Sequence, residues 1–240
     1  MTSTISSKDV LACIAPQLNR VDSTFQALEN VLLNSYFGIK HFHIYDNGLT
    51  NRFVQTLSDF ARSNHINVAV LPWNVPGILD EKTTQYLVEI DCHMRAKAQG
   101  FATNLVLSGN QVLVPKSGAK TVQSALQMSA KKGQLLVDVL KFCSEYPEEN
   151  SGFREKQITA LSQSIFNNQL SSGLAVKVSH QSGSQQFRIS RDELAVHDYG
   201  LCNNYDLDVK GPESVRDRSV SRHAMEIERL FGQYFPPITA

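Results

Sequence analysis

The sequence predicts an α/β fold, a mainly parallel twisted sheet flanked by helices, with some antiparallel strands near the C-terminus. Two observations carry the prediction. Three short apolar runs, residues 10–16 (VLACIAP), 40–48 (KHFHIYDNG) and 66–73 (INVAVLPW), alternate with segments of helical spacing, and a strand, helix, strand order argues for parallel pairing. The chain has 240 residues, 42% of them hydrophobic, enough for one sizeable core and most economically one domain over residues 1–240.

The first run ends at Pro16 and reads as a buried strand. Ser23 with Gln26 fits a capping box, and Phe25, Leu28, Val31, Leu32 and Tyr36 recur at helical spacing until Gly38. The second run closes on Asp-Asn-Gly, as a strand entering a turn does. A second helix carries Phe53, Leu57, Phe60 and Ala61 before the third run, a near-continuous apolar strand. Residues 81–99 read as a helix with Leu87, Ile90 and Met94 along one face, and Asp91 and Arg95 are four apart on it, as a surface pair would be.

Residues 105–107 and 112–114 read as strands on either side of four polar residues, Ser108-Gly109-Asn110-Gln111. Residues 120–132 and 134–142 predict a helix and a strand, and the polar stretch 144–172 a long loop or flap, while residues 1–8 are expected to be disordered. GLAVKVSH, QFRIS and LAVHDYG are three strand-like runs spaced for an antiparallel addition. A last helix after GPES would bury Val215, Val220, Ala224, Ile227, Phe231 and Tyr234. Arg216, Arg218, Arg222 and Arg229, interleaved with Asp217, Glu226 and Glu228, read as its solvated face.

Lys plus Arg and Asp plus Glu are equal at 23 each, so no net field favours nucleic acid as a partner. No apolar run approaches the roughly 18 residues that span a bilayer, and MTSTISSKD lacks the apolar core of a secretory signal, so the sequence by itself describes a soluble protein. Cys13, Cys92, Cys143 and Cys202 are far apart with no CxxC pair, which argues against zinc and leaves one or two bridges, or buried free thiols, open.

An ordered series runs through the chain: VLACIAP, LENVLLNSYFGIKHFHIYDNG, LPWNVPG, YLVEIDCHMR, VLVPKSG and LAVHDYG. This series resembles the glycosyltransferase family 92 domain, a nucleotide-sugar-dependent group with a GT-A-type fold. The positions that match the family pattern are Cys13, Pro16, Glu29, Gly38, His41, Tyr45, Asp46, Asn47, Asp91, Cys92, Arg95, Pro115 and His197. The acidic D-x-DE motif of that pattern is replaced: Ser108 stands at the first aspartate, Asn110 at the second and Gln111 at the glutamate. Leu32 and Asn51 also depart from acidic positions.

The resemblance implies a transferase that moves a hexose, galactose by family expectation, from a UDP-sugar donor to a glycan acceptor with the help of a divalent cation such as Mn2+. It implies nucleotide-sugar contacts for Tyr45, Asp46, Asn47, Asp91 and Arg95, and a secretory or Golgi membrane location, although no signal or anchor stands in this chain. Carboxylates are the natural ligands of such a cation, which neutralises charge on the departing diphosphate. With the acidic motif gone, the ligands left to a metal are His197 and Asn110, and Gln111 has no useful pKa for base catalysis. Plainer readings stand beside these: a turn for Asp-Asn-Gly, a helix-to-sheet tie for Asp91 and Arg95, a hydrogen-bonded sheet histidine for His197, and strand residues for His41 and His43, which share one face. The rival function is a non-catalytic pseudoenzyme kept as a glycan- or protein-binding module.

Overall fold

The computed structural model describes residues 9–16, 23–75, 80–116, 119–128, 134–143, 165–167, 175–180, 185–200 and 214–234. The three apolar runs form β1 (Val10–Ile14), β2 (His41–Asp46) and β3 (Asn67–Pro72), linked by α1 (Ser23–Tyr36) and α2 (Asn51–Ser63). Next come α3 (Glu81–Gln99), β4 (Thr103–Leu107), β5 (Gln111–Pro115), α4 (Val122–Met128) and β6 (Gln134–Cys143). The chain continues through β7 (Ile165–Asn167), β8 (Ala175–His180), β9 (Gln186–Arg188), β10 (Leu194–Gly200) and β11 (Ser214–Arg216) to α5 (Ala224–Tyr234).

The main sheet has the order β3-β2-β1-β4-β8-β6-β10-β5, with β9 paired to β6. β3, β2, β1 and β4 run parallel. β8 is antiparallel to both β4 and β6, while β10 is parallel to β6 and antiparallel to β5. The α/β class therefore holds, and the late strands are mixed in direction because β9 and β10 both run parallel to β6.

This order forces the sheet to curl. β4 and β5 are four places apart, about 19 Å along a flat sheet at ~4.8 Å per step. Yet Gln111 N donates to Ser108 O at 3.0 Å, closing a four-residue turn between the two strands, and such a turn spans less than about 7 Å. Only a rolled sheet satisfies both conditions. The roll carries β10, and Asp198 with it, back against the end of β4, since Asp198 pairs with Gln111.

One face of the sheet packs on α1, α2 and α5 in the larger core, where Phe53, Leu57, Phe60 and Ala61 are buried as their spacing predicts. Thr50 caps α2 by accepting from Phe53 N at 3.3 Å. Gly38, at φ +100°, ends α1 where a Cβ would meet Thr121 Cβ at 2.8 Å, so that turn requires glycine.

The other face packs on α3, and here the expected stripe is corrected. Thr84, Val88, Cys92 and Ala96 are buried, whereas Ile90 and Met94 are 41% and 65% exposed and Leu87 is only partly covered. Small side chains let α3 lie close to the strands, and a disulfide from Cys13 on β1 to Cys92 fixes that face inward with a Cα separation of 6.2 Å. Cys143 is disulfide-bonded too, so the free-thiol alternative does not hold for these three cysteines.

Three further expectations change. β3 is exposed or half-buried along its whole length, because it is the sheet edge rather than an interior strand. Val215 belongs to β11, which pairs with β7 in a separate two-stranded sheet, so the last helix begins only at Ala224. The predicted loop 144–172 contains β7; its other residues, like residues 1–8 and Cys202, lie outside the described ones. No helix of the described residues is long and apolar enough to cross a membrane.

Candidate functional site

In a parallel sheet the loops that follow the strands gather at the carboxyl ends, where ligands bind. Here that edge carries Ala15 after β1, Asp46 at the end of β2 with Asn47 following it, and the Ser108–Gln111 turn after β4. The turn is anchored from below by α1. Asn30 Nδ2 donates to Ser108 O at 2.9 Å and Gln111 O at 2.6 Å, and the buried Asn34 accepts from Leu113 N at 2.9 Å. Glu29, 6% exposed on the same helix, lines a narrow cavity under Gly109 and Asn110.

The turn meets a carboxylate from β10. Asn110 Nδ2 donates to Asp198 Oδ1 at 2.6 Å and Gln111 Nε2 to Asp198 Oδ2 at 3.2 Å, while Gln111 Oε1 accepts from Ser108 N at 3.0 Å. Gly200 leaves room for this cluster, since a Cβ there would stand 2.7 Å from Asn110 Nδ2. Two side chains of the turn, Asn110 and Gln111, thus hold an acid supplied from elsewhere in the chain.

His197, the chain neighbour of Asp198, faces the other way. It is fully buried; its Nδ1 lies 2.9 Å from Tyr199 Oη and its ring 4.6 Å from that of Phe142. Its Nε2 is 3.6 Å from Asp217 Oδ2, an electrostatic contact beyond hydrogen-bond reach. Burial lowers the His197 pKa, and the charge of Lys116 adds to this against the opposing pull of Asp217. Asp217 itself pairs with Lys116 and accepts from Ser219. Burial acts to raise its pKa, but His197, Lys116 and Ser219 hold it well below the usual carboxylate range. Asp217 is therefore part of a buried network, not of a solvated helix face; Arg218, Arg222 and Arg229 are exposed as expected.

A second cluster joins β2 to α3. Tyr45 Oη and Arg95 Nε both donate to Asp91 Oδ2 at 2.6 Å, and the Tyr45 ring stands edge-on to Trp73 at 5.5 Å. Burial, then the Asp91 carboxylate, raises the Tyr45 pKa. Burial also acts to raise that of Asp91, but the bonds from Arg95 and Tyr45 outweigh it and leave it lowered. Asp46 is engaged locally: its Oδ1 accepts from Gly48 N at 2.8 Å and Leu49 N at 2.6 Å, a side-chain-closed turn that leaves Asn47 exposed. Tyr45 and Asn47 line a small cavity with Ala15 and Gly109, so the ends of β1 and β2 and the 108–111 turn do converge.

Beside the turn opens a cleft of about 450 Å³. Ser108, Gln111 and Asp198 line it together with Lys82 and Glu89 from α3 and Lys177 from β8. A divalent cation there needs several oxygen atoms with free lone pairs. Each Asp198 oxygen and Gln111 Oε1 already gives one lone pair to an N–H group, and among the described residues no three His, Cys, Asp or Glu side chains converge to complete a ligand set. The donor set does not fit a divalent cation, and His197 and Asn110 face different partners.

Sequence reasoning singled out neither Lys82, Glu89 and Lys177 nor the pairing of Asp217 with Lys116. No local motif marks them; each enters through strand order or helix phase. For Asp198 one signal existed, the alternation of side chains along β10, which turns Asp198 and His197 to opposite faces.

The family model for glycosyltransferase family 92 matches residues 8–170. Asp198, His197 and Lys177 lie beyond that span. No curated protein matches the chain. Among solved structures, S. aureus TarS 1-349 is similar over 72% of this chain and 47% of that one, at 12% identity and a TM-score of 0.38. The mannosyltransferase Ktr4p from S. cerevisiae is similar over 55% of this chain and 39% of that one, at 14% identity and a TM-score of 0.32. The chain thus spans less than half the length of either structure.

Proposed function

The chain belongs to glycosyltransferase family 92, and from that membership we propose that it binds a nucleotide-sugar donor in the cleft beside the 108–111 turn and transfers the sugar to a glycan hydroxyl. The observation that carries the reading is the convergence at one sheet edge of the β1 and β2 ends, the turn and an open cleft with two carboxylates, Glu89 and Asp198. UDP-galactose is the donor that the family resemblance favours, with Tyr45 and Asn47 nearest the nucleoside and Asp91 and Arg95 holding Tyr45 in place.

In such a transfer the acceptor oxygen bonds to the anomeric carbon. The bond from that carbon to the diphosphate oxygen breaks, its electron pair leaves on the nucleoside diphosphate, and the hydroxyl proton passes to a base. Glu89 suits that role better than Asp198. Its carboxylate meets Gln85 at 3.5 Å, the limit of a hydrogen bond, whereas both Asp198 oxygens accept amide protons. Asp198 then acts as the fixed negative wall that orients the sugar hydroxyls.

The test is release of UDP from UDP-galactose over a panel of glycan acceptors, against heat-inactivated protein. Glu89→Gln is expected to lower turnover by about a hundredfold or more. Absence of release by the unaltered protein across the panel refutes the enzymatic reading. One observation favours a second reading, a non-catalytic glycan-binding module: each oxygen of the Asp198 carboxylate already accepts an amide N–H, from Asn110 and Gln111. That module would bind a glycan array saturably without nucleotide. The disulfides fit folding in an oxidising compartment, such as the secretory pathway.

A further inference from the structure

The cleft contains two ammonium groups carried by different elements. Lys82 projects from the first turns of α3 and Lys177 from β8, and both line the same space as Ser108, Gln111 and Asp198. Both side chains are exposed, and no ion pair among the described residues engages either one. Gln111 Oε1 and both Asp198 oxygens, by contrast, each accept an N–H group, and among the described residues no three His, Cys, Asp or Glu side chains converge to hold a divalent cation. A diphosphate placed in this cleft would therefore meet positive charge from lysine before it met any ligand set for a metal.

We infer that Lys82 and Lys177 together form the diphosphate subsite of the cleft and that binding of a nucleoside diphosphate here requires no divalent cation. The inference rests on the donor-binding reading above. Each ammonium is a compact charge with three donors on a flexible stem, suited to phosphate oxygens whose exact position varies. Glu89, one turn along α3 from Gln85 and within the same lining, supplies opposing charge, as does Asp198. Beside these two acids neutral sugar hydroxyls, not phosphates, are the better neighbours. When the bond to the sugar breaks, the departing diphosphate gains a unit of negative charge, and the paired lysines stand where that charge develops.

The experiment is calorimetric titration of UDP and of UMP into the full chain, in chelator and again in manganese, for the unaltered protein, Lys82→Ala, Lys177→Ala and the double variant. UDP is expected to bind in chelator, each single substitution to weaken it about tenfold, and UMP, which lacks the second phosphate, to be weakened less. The lysines being exposed, thermal melts of the variants should match that of the unaltered protein. UDP binding that appears only with manganese, or that the double variant retains in full, overturns the inference while leaving the donor-binding reading intact. Failure of UDP and UMP alike to bind the unaltered protein in either condition overturns the donor-binding reading, and the lysine assignment with it.

Discussion

Replacing Cys13 and Cys92 together by alanine removes a cross-link that joins β1 to α3 across a sequence separation of 79 residues. The chain-entropy expression for a loop of that length gives about 15 cal/mol/K, or about 4.5 kcal/mol at 25 °C, gained by the unfolded chain when the link is lost. Both cysteines are fully buried, so loss of the two sulfur atoms from the packed interface adds a cost on the order of 1 kcal/mol. For a domain of this size, at 2–4 °C per kcal/mol, the melting temperature should fall by roughly 10–20 °C. The assay is urea and thermal unfolding of the oxidised protein and the double variant without reductant, because Cys143 is also disulfide-bonded and a reductant acts on every bridge. Asp91 and Arg95 flank Cys92 on the same helix, so the variant should also loosen Tyr45. A loss below about 1 kcal/mol would refute the reasoning: it would mean that Thr84, Val88 and Ala96 seat α3 on the sheet unaided, or that the unfolded chain already keeps the two ends together.

Two other outcomes follow from the buried polar groups. Asn34→Ala strands the buried Leu113 N–H, which now donates to Asn34 Oδ1 at 2.9 Å. The expected loss of stability is about 2–3 kcal/mol by urea denaturation, and a loss under about 0.5 kcal/mol would show that another acceptor replaces it. Burial lowers the pKa of His41, His43 and His197, with nearby charges modifying each: Asp9 opposes the shift at His41, Arg95 adds to it and Asp91 opposes it at His43, and Lys116 and Asp217 pull in opposite senses at His197. Below the ordinary histidine pKa, about 6.5, the unfolded chain therefore binds protons that the folded chain does not. The stability from keeping these rings neutral is complete above about pH 7 and falls as the pH drops toward their lowered folded values, by up to ~1.4 kcal/mol per pH unit for each ring. Denaturant midpoints at pH 7.5, 6.5 and 5.5 should show this decline, and His197→Gln should make it shallower. A flat profile over that range would refute the assignment.

The local elements of this protein were legible because each rests on short-range physics. The spacing of Phe53, Leu57, Phe60 and Ala61 places α2 on the core, and Asp-Asn-Gly closes its turn through Asp46 wherever the strand goes. The family membership and the polar interruption at residues 108–111 are likewise properties of the sequence. The inward face of α3 was not legible. Leu87, Ile90 and Met94 form the more apolar stripe, yet a single covalent bond from Cys13 turns Cys92 and its small neighbours to the sheet. Asp198 and Lys177 follow the same rule, since their approach to the turn depends on a nine-stranded order and on the curl that the Ser108–Gln111 turn imposes. Hydrophobic period and turn chemistry act over a few residues and are written in the sequence, whereas the meeting of a β10 carboxylate and a β8 lysine with a β4 turn is decided by which strands pair, a choice that only the folded sheet makes.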